Sequence, residues 1–134
     1  MVADDRGLVA TSDGDVAFHA VADAILGAAA LGDLGTHFPS SAAEWNGVDS
    51  SVLLATVVDI AADAGLTVHN IDVTIIAQTV RISPHRTAMR RRLSEILSVP
   101  VDRVSVKATT TDGMGYLGRD EGIAATAVVT LAED

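Results

Sequence analysis

The segment from Leu66 to Ala77 is the feature that most restricts how this chain can fold. It is rich in β-branched residues and alternates in part between apolar and polar side chains, as expected of a strand with one buried face. Ser83 and Pro84 predict a helix start, because serine caps a helix and proline is tolerated at its first position. Residues 104–109 have the composition of another strand. Strand, helix and strand in succession predict a crossover within one sheet.

Other segments extend this pattern. Residues 16–30 are alanine-rich and follow the cap-forming residues 12–15, which predicts a largely buried helix that Gly32 and Gly35 can stop. Asp49 and Ser50 predict the start of the next helix, and Gly65 is the expected first residue beyond it. Residues 122–131 predict a further strand. The expected apolar positions of the second and third helices are Val52, Leu53, Val57, Ile60 and Ala61, then Met89, Leu93, Ile96 and Leu97.

These elements predict an α+β fold, a small α/β sandwich whose mixed sheet is covered by helices on one side. The sequence contains no proline-rich linker, low-complexity tract or internal repeat, which favours a single domain over residues 1–134. Residues 73–76 and 125–129 place apolar side chains on both faces of their strands, and few helices are available to cover them. We therefore expect the chain to associate with copies of itself.

Composition excludes several classes of function. The chain has no cysteine, so disulfide frameworks and cysteine-ligated metal clusters are ruled out. A net charge of −9 and an aromatic content of 3% argue against a nucleic-acid-binding protein. Apolar runs end before the roughly 20 residues that a membrane span requires, and the acidic start is unlike a signal peptide. We expect a cytoplasmic protein with no membrane partner.

Basic residues are concentrated in the second part of the chain. Up to residue 80 the only one is Arg6, whereas eight lie between Arg81 and Asp134. This distribution is compatible with a small phosphorylated ligand near the second half. Arg81 and Lys107 are the expected phosphate contacts, because they flank predicted strand ends. Most arginines around the third helix are expected to form a solvated face, and this group consists of Arg81, Arg86, Arg90, Arg91 and Arg92.

Three segments carry residues suited to chemistry. His19 lies four residues after Asp15 and four before Asp23, so one helix face can present an imidazole and two carboxylates to a divalent metal. The alternative is a histidine oriented by Asp15, with Asp23 solvated. Residues 33–39 form either a ligand-contacting loop or a helix C-cap without a ligand. Residues 109–115 form either a diphosphate-binding turn with its metal or a polar hairpin turn.

The residue sequences of longer segments, and the order of these segments in the chain, are more specific. These segments are residues 12–20 (SDGDVAFHA), 26–35 (LGAAALGDLG), 72–78 (DVTIIAQ), 106–111 (VKATTT) and 118–124 (GRDEGIA). They resemble the 2-C-methyl-D-erythritol 2,4-cyclodiphosphate synthase family over nearly the whole chain after Gly7. The resemblance implies a homotrimer with active sites between subunits, in the non-mevalonate isoprenoid pathway. The implied reaction converts 4-diphosphocytidyl-2-C-methyl-D-erythritol 2-phosphate into the cyclic diphosphate and CMP.

The resemblance also assigns roles to individual residues. His19 matches a helix-borne zinc ligand, and Asp112 falls at a ligand of a magnesium or manganese ion. Thr110 matches a threonine thought to assist the transition state. Asp33 and Gly35 match contacts to the methylerythritol moiety, and Asp33 is the second predicted catalytic residue. The implied substrate-binding residues are Ser12, Asp33, Leu34, Gly35, Phe38, Ala77, Gln78, Thr79, Val80, Arg81, Ile82, Ser83, Thr109, Thr110, Thr111, Asp112, Tyr116 and Arg119.

Several positions depart from the family pattern. No Asp-x-His motif, which supplies the family's other two zinc ligands, precedes Gly7, so we expect an incomplete zinc site and reduced turnover. Thr11 stands where the family has a histidine, and Asp112 stands where it has glutamate. Val80 and Arg81 replace the usual Pro-Lys. The expected function is the synthase, and the alternative is a catalytically impaired trimer that binds a cytidine nucleotide or an isoprenoid diphosphate.

Overall fold

The computed structural model describes residues 5–38, 49–76, 83–109 and 124–133, and their side chains except those of residues 5–13, 83 and 84. None of the described helices is long and apolar enough to cross a membrane. In chain order, the elements are α1 (Asp5–Ala28), α2 (Leu34–His37), α3 (Ser50–Asp63), β1 (Leu66–Ile76), α4 (Ser83–Leu97), a 3-10 turn (Val101–Arg103), β2 (Val104–Thr109) and β3 (Ala124–Glu133).

The described strands form one mixed sheet in the order β2-β1-β3. β1 and β2 are parallel, with Ile71 opposite Val104 and Ile76 opposite Thr109. β3 is antiparallel to β1, so that Ala124 also lies opposite Ile76. The predicted mixed sheet is therefore confirmed. The last residues of β1 and β2 and the first residue of β3 meet at one end of the sheet, which we call the Ile76 end.

β1 contains an irregularity that explains its imperfect alternation. Its register with β3 shifts between Val68 and Asn70, which leaves His69 as an extra residue. Strict alternation would place Val68 and Ile71 on opposite faces of the sheet. The extra residue brings both onto the same face, and both are buried.

The core lies between the helices and one face of the sheet. Ile71, Val73 and Ile75 of β1 are buried, as are Val104 and Val106 of β2. The helices supply the other large buried side chains, among them Val21, Ile25, Leu26, Leu54, Val57, Met89, Leu93 and Leu97. On the opposite face, the described helices leave Ser105, Lys107 and Thr109 exposed. Val128 of β3 is 70% exposed.

The predicted apolar stripes of α3 and α4 are confirmed with one exception. Met89, Leu93 and Leu97 are buried and Ile96 is partly buried, as expected. The prediction for Val52 is wrong, because this side chain is 53% exposed, while Leu54 is fully buried. Val52 lies about 140° around the helix from the buried residue Val57, and therefore points away from the core.

The predicted start of α1 is wrong. The helix begins at Asp5 and continues through Gly14, so residues 12–15 lie within it rather than before it. Serine, aspartate and glycine are poor helix formers, but each lowers helix stability by about 1 kcal/mol or less, and no proline interrupts residues 5–28. Asp15 has a tertiary role instead. Its Oδ1 accepts a 2.6 Å hydrogen bond from the hydroxyl of the buried Ser50, which ties α1 to the start of α3.

α1 ends in a turn built on an alanine with a left-handed backbone. Ala30 has φ 58°, and the N–H of Leu31 donates to the carbonyl of Leu26 at 2.9 Å, as in a Schellman motif. The helix thus ends before Gly32, one of its two predicted stops. Gly35, the other one, lies inside α2.

The predicted ends of α3 and the start of α4 are confirmed. Asp49 caps α3 by accepting a 2.8 Å hydrogen bond from the N–H of Ser51, and Gly65 follows the helix with φ 81°. α4 begins at Ser83. Its last residue is Leu97, and the next residue, Ser98, is a second non-glycine residue with a left-handed backbone, at φ 57°.

Candidate active site

An open cleft of about 500 Å³ lies between the middle of α1 and the turn before α2. We call it the His19 cleft. Ala125 of β3 belongs to its wall and lies opposite Ile75 in the sheet, so the cleft is beside the Ile76 end. Its lining residues are Val16, His19, Ala20, Asp23, Asp33, Leu34, Gly35 and Ala125.

α1 supplies one wall through a single helix face. Val16, His19, Ala20 and Asp23 follow the spacing of three, one and three residues that places side chains on the same side of a helix. His19 and Asp23 are exposed at the cleft. The Oδ1 of Asp23 accepts a long 3.4 Å hydrogen bond from the N–H of Leu34, which links α1 to the opposite wall.

Asp33 forms the rim of that opposite wall and caps α2. Its Oδ1 accepts hydrogen bonds from the N–H of Thr36 at 2.9 Å and from the Thr36 hydroxyl at 2.8 Å. The Thr36 hydroxyl, then its N–H, lower the pKa of Asp33 below its ordinary value of 3.8. The carboxylate is therefore ionised at neutral pH and held in one orientation by its own turn.

The turn that carries Asp33 is tightly constrained. Gly32 has φ 98°, a conformation that glycine adopts without strain. Nε2 of His37 lies 2.6 Å from the carbonyl oxygen of Leu31, which is the distance of a strong hydrogen bond. The local sequence thus fixes the position of Asp33 through contacts within a few residues.

The structure does not assemble the metal site proposed from the spacing of His19, Asp15 and Asp23. Asp15 is bonded to Ser50 instead. It lies eight residues before Asp23, so the side chains of these two aspartates point about 80° apart around the helix axis. Nor does Asp15 orient His19 in the way the alternative suggested. Within the described ranges, no three His, Asp or Glu side chains form a group that could hold a metal ion. The described donors around His19 are too few for a zinc site by themselves, and we derive no chemical step through that ion.

The predicted nucleotide-binding segments follow strand ends that the structure describes. Ile76 ends β1, and Thr109, which is exposed, ends β2 directly opposite it. Both segments therefore leave the sheet at the Ile76 end. Ser12 and Ser83 lie in α1 and α4, but their side chains are not described. The predicted site residues outside the described ranges are Ala77, Gln78, Thr79, Val80, Arg81, Ile82, Thr110, Thr111, Asp112, Tyr116 and Arg119.

Two other expectations place side chains differently from the structure. Phe38 was assigned to substrate binding, but its side chain is only 8% exposed, belongs to the core, and does not line the His19 cleft. Lys107 lies inside β2 rather than at a strand end. Its Nζ pairs with Oδ2 of Asp72 at 2.8 Å, across two neighbouring strands.

Sequence reasoning missed the apolar parts of the cleft. Val16 and Ala20 line it because they neighbour His19 on the helix face, and helical spacing alone was sufficient to find them. Ala125 could not be found in this way, because its position depends on the antiparallel pairing of β3 with β1.

Comparison with known proteins gives one consistent result. The YgbB family matches residues 1–132. The 2-C-methyl-D-erythritol 2,4-cyclodiphosphate synthase of Methylococcus capsulatus is 57% identical over 127 residues, which are 95% of this chain and 80% of that protein. The bifunctional IspDF from Campylobacter jejuni superimposes with a TM-score of 0.86 at 37% identity, covering 92% of this chain and 33% of that one. IspF of Plasmodium falciparum, solved as a CDP complex, has a TM-score of 0.77 at 27% identity, covering 89% and 71%. The resemblance seen in the sequence segments is confirmed, and the chain belongs to the YgbB family.

Proposed function

We propose that this chain is a 2-C-methyl-D-erythritol 2,4-cyclodiphosphate synthase, a phosphorus–oxygen lyase. In the proposed reaction, an oxygen of the substrate's 2-phosphate attacks the β-phosphorus of the diphosphate. The bond from that phosphorus to the CMP oxygen breaks, and CMP leaves with the electron pair. The observation that carries the proposal is the His19 cleft, which is lined by His19, Asp33 and Gly35. It lies beside the end of the sheet where both predicted nucleotide-binding segments begin.

The role that we propose for Asp33 follows from its charge state. An ionised carboxylate accepts hydrogen bonds and cannot act as an acid. Oδ1 is already bonded to Thr36, so Oδ2 is the oxygen available to a hydroxyl of the methylerythritol moiety. Accepting that hydroxyl would orient the attached 2-phosphate for in-line attack, and this contribution consists of positioning rather than proton transfer.

We propose that the nucleotide half of the substrate lies against the Ile76 end of the sheet. Residues 77–83 would contact the base, and Thr109 to Asp112 would contact the diphosphate, with Thr110 assisting the transition state. Support comes from the pairing of Ile76 with Thr109, which makes the two segments neighbours at their starting points. IspF of Plasmodium falciparum, a structural neighbour of this chain, binds CDP in its solved complex.

Metal ions form a further part of the proposal, with His19 as a zinc ligand and Asp112 as a ligand of magnesium or manganese. Divalent cations at a phosphoryl-transfer site offset the charge of the phosphate groups. Catalytic zinc sites have three protein ligands as a rule, and His19 has no convergent group of three in the described part of the chain. We therefore expect zinc well below one ion per chain after purification. One zinc per chain that disappears in His19→Ala would contradict this expectation.

We propose that the chain forms a homotrimer. The sheet face opposite the helices carries Val128, which is 70% exposed, and the described helices do not cover this face. Contact between the uncovered faces of several copies would remove such side chains from water. A monomer in sedimentation at micromolar concentration, with circular dichroism showing an intact fold, would contradict the assembly.

Phosphorus-31 NMR tests the proposed reaction directly. Incubation of the chain with 4-diphosphocytidyl-2-C-methyl-D-erythritol 2-phosphate and magnesium should give the resonances of the cyclic diphosphate and of CMP in equal amounts. The alternative is a catalytically impaired trimer that binds a cytidine nucleotide or an isoprenoid diphosphate. Binding of CDP without any product, even with added zinc, would support that alternative and reject the synthase.

A further inference from the structure

Residues 31–37, which we call the Asp33 turn, carry Asp33 at the rim of the His19 cleft and contain hydrogen bonds of two kinds. The bonds from Thr36 to Asp33 span three residues and fix the shape of the turn itself. The 2.6 Å contact between Nε2 of His37 and the carbonyl oxygen of Leu31 spans six residues and joins the two ends of the turn. The first kind therefore orients the carboxylate within the turn, and the second restrains where the turn lies.

Both ends of the Asp33 turn are attached to the rest of the protein. The N–H of Leu31 donates at 2.9 Å to the carbonyl of Leu26, which lies near the end of α1. At the other end, the side chain of Phe38 is buried in the core, and its ring centroid lies 6.3 Å from that of the neighbouring His37. The contact between His37 and Leu31 thus connects two points that are themselves held in place.

Gly32 is the position at which the turn can move. It lies between Leu31 and Asp33 and has φ 98°, in a region where glycine has more freedom than other residues. A rotation at Gly32 would displace Asp33 from the His19 cleft without breaking its bonds to Thr36. The hydrogen bond of His37 bridges this residue and opposes such a rotation.

One further hydrogen bond restrains the turn from α1 within the described ranges. It runs from the N–H of Leu34 to Oδ1 of Asp23, is 3.4 Å long and is exposed. This length is beyond the usual 2.7–3.2 Å of such bonds, roughly, so water competes with it easily. The contact of His37 is shorter and half-buried, which makes it the stronger polar restraint.

The partner of His37 determines where its ring carries a hydrogen. A carbonyl oxygen can only accept a hydrogen bond, so Nε2 must be the donor. In the neutral ring, Nδ1 then has no hydrogen. A glutamine side chain ends in an amide that can also donate, whereas leucine has a similar size and no donor.

We propose that His37 is a positioning residue for the synthase reaction, because its bond to Leu31 holds Asp33 where Oδ2 can accept from the methylerythritol hydroxyl. His37 does not line the His19 cleft, so it acts through Asp33 rather than on the substrate. The inference therefore rests on the proposed function. Loss of the bond should disturb the orientation of the attacking 2-phosphate and leave the nucleotide half of the substrate bound as before.

Steady-state measurement of CMP release by the full chain tests this role. His37→Leu should lower kcat about 30-fold and change KM by less than about threefold, because a displaced positioning group affects mainly the attack. His37→Gln restores a donor and should stay within about threefold of the unaltered chain. Thr56→Val removes another side-chain bond to a backbone carbonyl, in α3, and is the matched control with turnover unchanged. Equal losses of kcat in the leucine and glutamine variants would overturn the proposal.

A double substitution separates positioning from a general loss of structure. In a chain that already carries Asp33→Ala, His37→Leu should lower kcat/KM by less than about twofold, because the carboxylate that His37 positions is absent. A purely structural role would lower the activity of both backgrounds by the same factor. Equal factors in the two backgrounds would reject the proposal.

NMR tests the contact independently of turnover. Nitrogen-15 spectra of the unaltered chain should show a hydrogen on Nε2 of His37, and this measurement requires no variant to fold. The backbone order parameters of Gly32 and Asp33 should fall in His37→Leu and not in His37→Gln. An Nε2 without a hydrogen, or unchanged order parameters in His37→Leu, would overturn the hold on the turn. Absence of product from the unaltered chain would instead reject the synthase reaction, and with it the catalytic part of this role.

Discussion

The His19 cleft and a second cleft, which is lined by Arg86, Arg90 and Arg103 near the start of β2, lie at opposite ends of one small sheet. We call the second one the arginine cleft, and the two differ in how their carboxylates are held. Asp33 is fixed by Thr36, three residues away in its own turn. Asp72 is held from the neighbouring strand by Lys107 and lies on the sheet face that the described helices leave uncovered. A carboxylate fixed by local bonds is oriented before any ligand arrives. The position of the other carboxylate depends on the pairing of two strands instead.

The largest expected effect belongs to the carboxylate of the His19 cleft. Asp33→Ala removes the proposed contact to the methylerythritol hydroxyl and should lower kcat/KM for CMP release by about 100-fold. Asp33→Asn can still cap α2 and should lose less. Asp59→Ala removes an exposed carboxylate of α3 and serves as the control, with turnover unchanged. An equal loss in Arg86→Lys would contradict the separation of the two clefts.

A stability effect of about 2 kcal/mol is expected at the arginine cleft. Arg90→Ala removes two charged hydrogen bonds, to the carbonyls of Val101 and Val104. A bond of this kind contributes about 1.5–3 kcal/mol, and we expect most of the effect from the part-buried bond to Val104, because the bond to Val101 is exposed to solvent. Urea denaturation should show the loss in the free energy of unfolding. Arg91→Ala, on the exposed side of the same helix, should change it by less than ~0.5 kcal/mol. Equal effects of the two substitutions would mean that Arg90 does not brace the wall.

A smaller gain in stability is expected where the chain approaches each cleft. Ala30 precedes the turn of Asp33, Ser98 precedes the 3-10 turn of the arginine cleft, and both have left-handed backbones. Glycine adopts this conformation without the steric conflict of a side chain, so Ala30→Gly and Ser98→Gly should each stabilise the chain by ~0.5–1 kcal/mol. Gly65→Ala is the matched reversal at φ 81°, where an added Cβ meets no atom within 4 Å, and should destabilise. The same sign for all three substitutions in thermal unfolding would contradict this account.

The smallest expected effect is a shift in titration. The Thr36 hydroxyl is the main cause that lowers the pKa of Asp33, so Thr36→Val should move that pKa toward 3.8. Because the folded pKa lies below the unfolded one, the bond stabilises the fold above pH 3.8, and this contribution is lost as the pH falls through the folded pKa. NMR titration of the Asp33 carboxyl carbon measures the shift. An Asp33 pKa at 3.8 in the unaltered chain would show that the turn does not hold the carboxylate as described.

Much of the fold could be predicted because its signals are local. Asp49, Gly65 and Ser83 mark helix ends through their own backbone preferences, and all three lie where the sequence placed them. The start of α1 could not be predicted, because residues with cap preferences lie inside the helix, where Asp15 bonds to Ser50 of a distant segment. The bulge at His69 is likewise set by pairing with β3.

The same difference between local signals and long-range contacts applies to the two clefts. His19, Asp33 and Gly35 were predicted from segments whose sequences resemble those of the synthase family, and the structure brings them together in one cleft. The arginine cleft was not predicted. Arg86 and Asp72 line one cleft because β1 and β2 pair in parallel, with α4 between them in the chain. A helix rich in arginine gives no indication in the sequence of which side chain has a buried atom.

Amide-resolved NMR during a titration with CDP tests most directly which end of the sheet takes the nucleotide. The largest shifts should occur at Ile76, Thr109 and Ala124, where both proposed nucleotide segments begin, and at residues of the His19 cleft. Residues of the arginine cleft should not shift with CDP. Shifts from CDP centred on Asn70 and Val104, or no shifts at the Ile76 end at saturating CDP, would contradict the account.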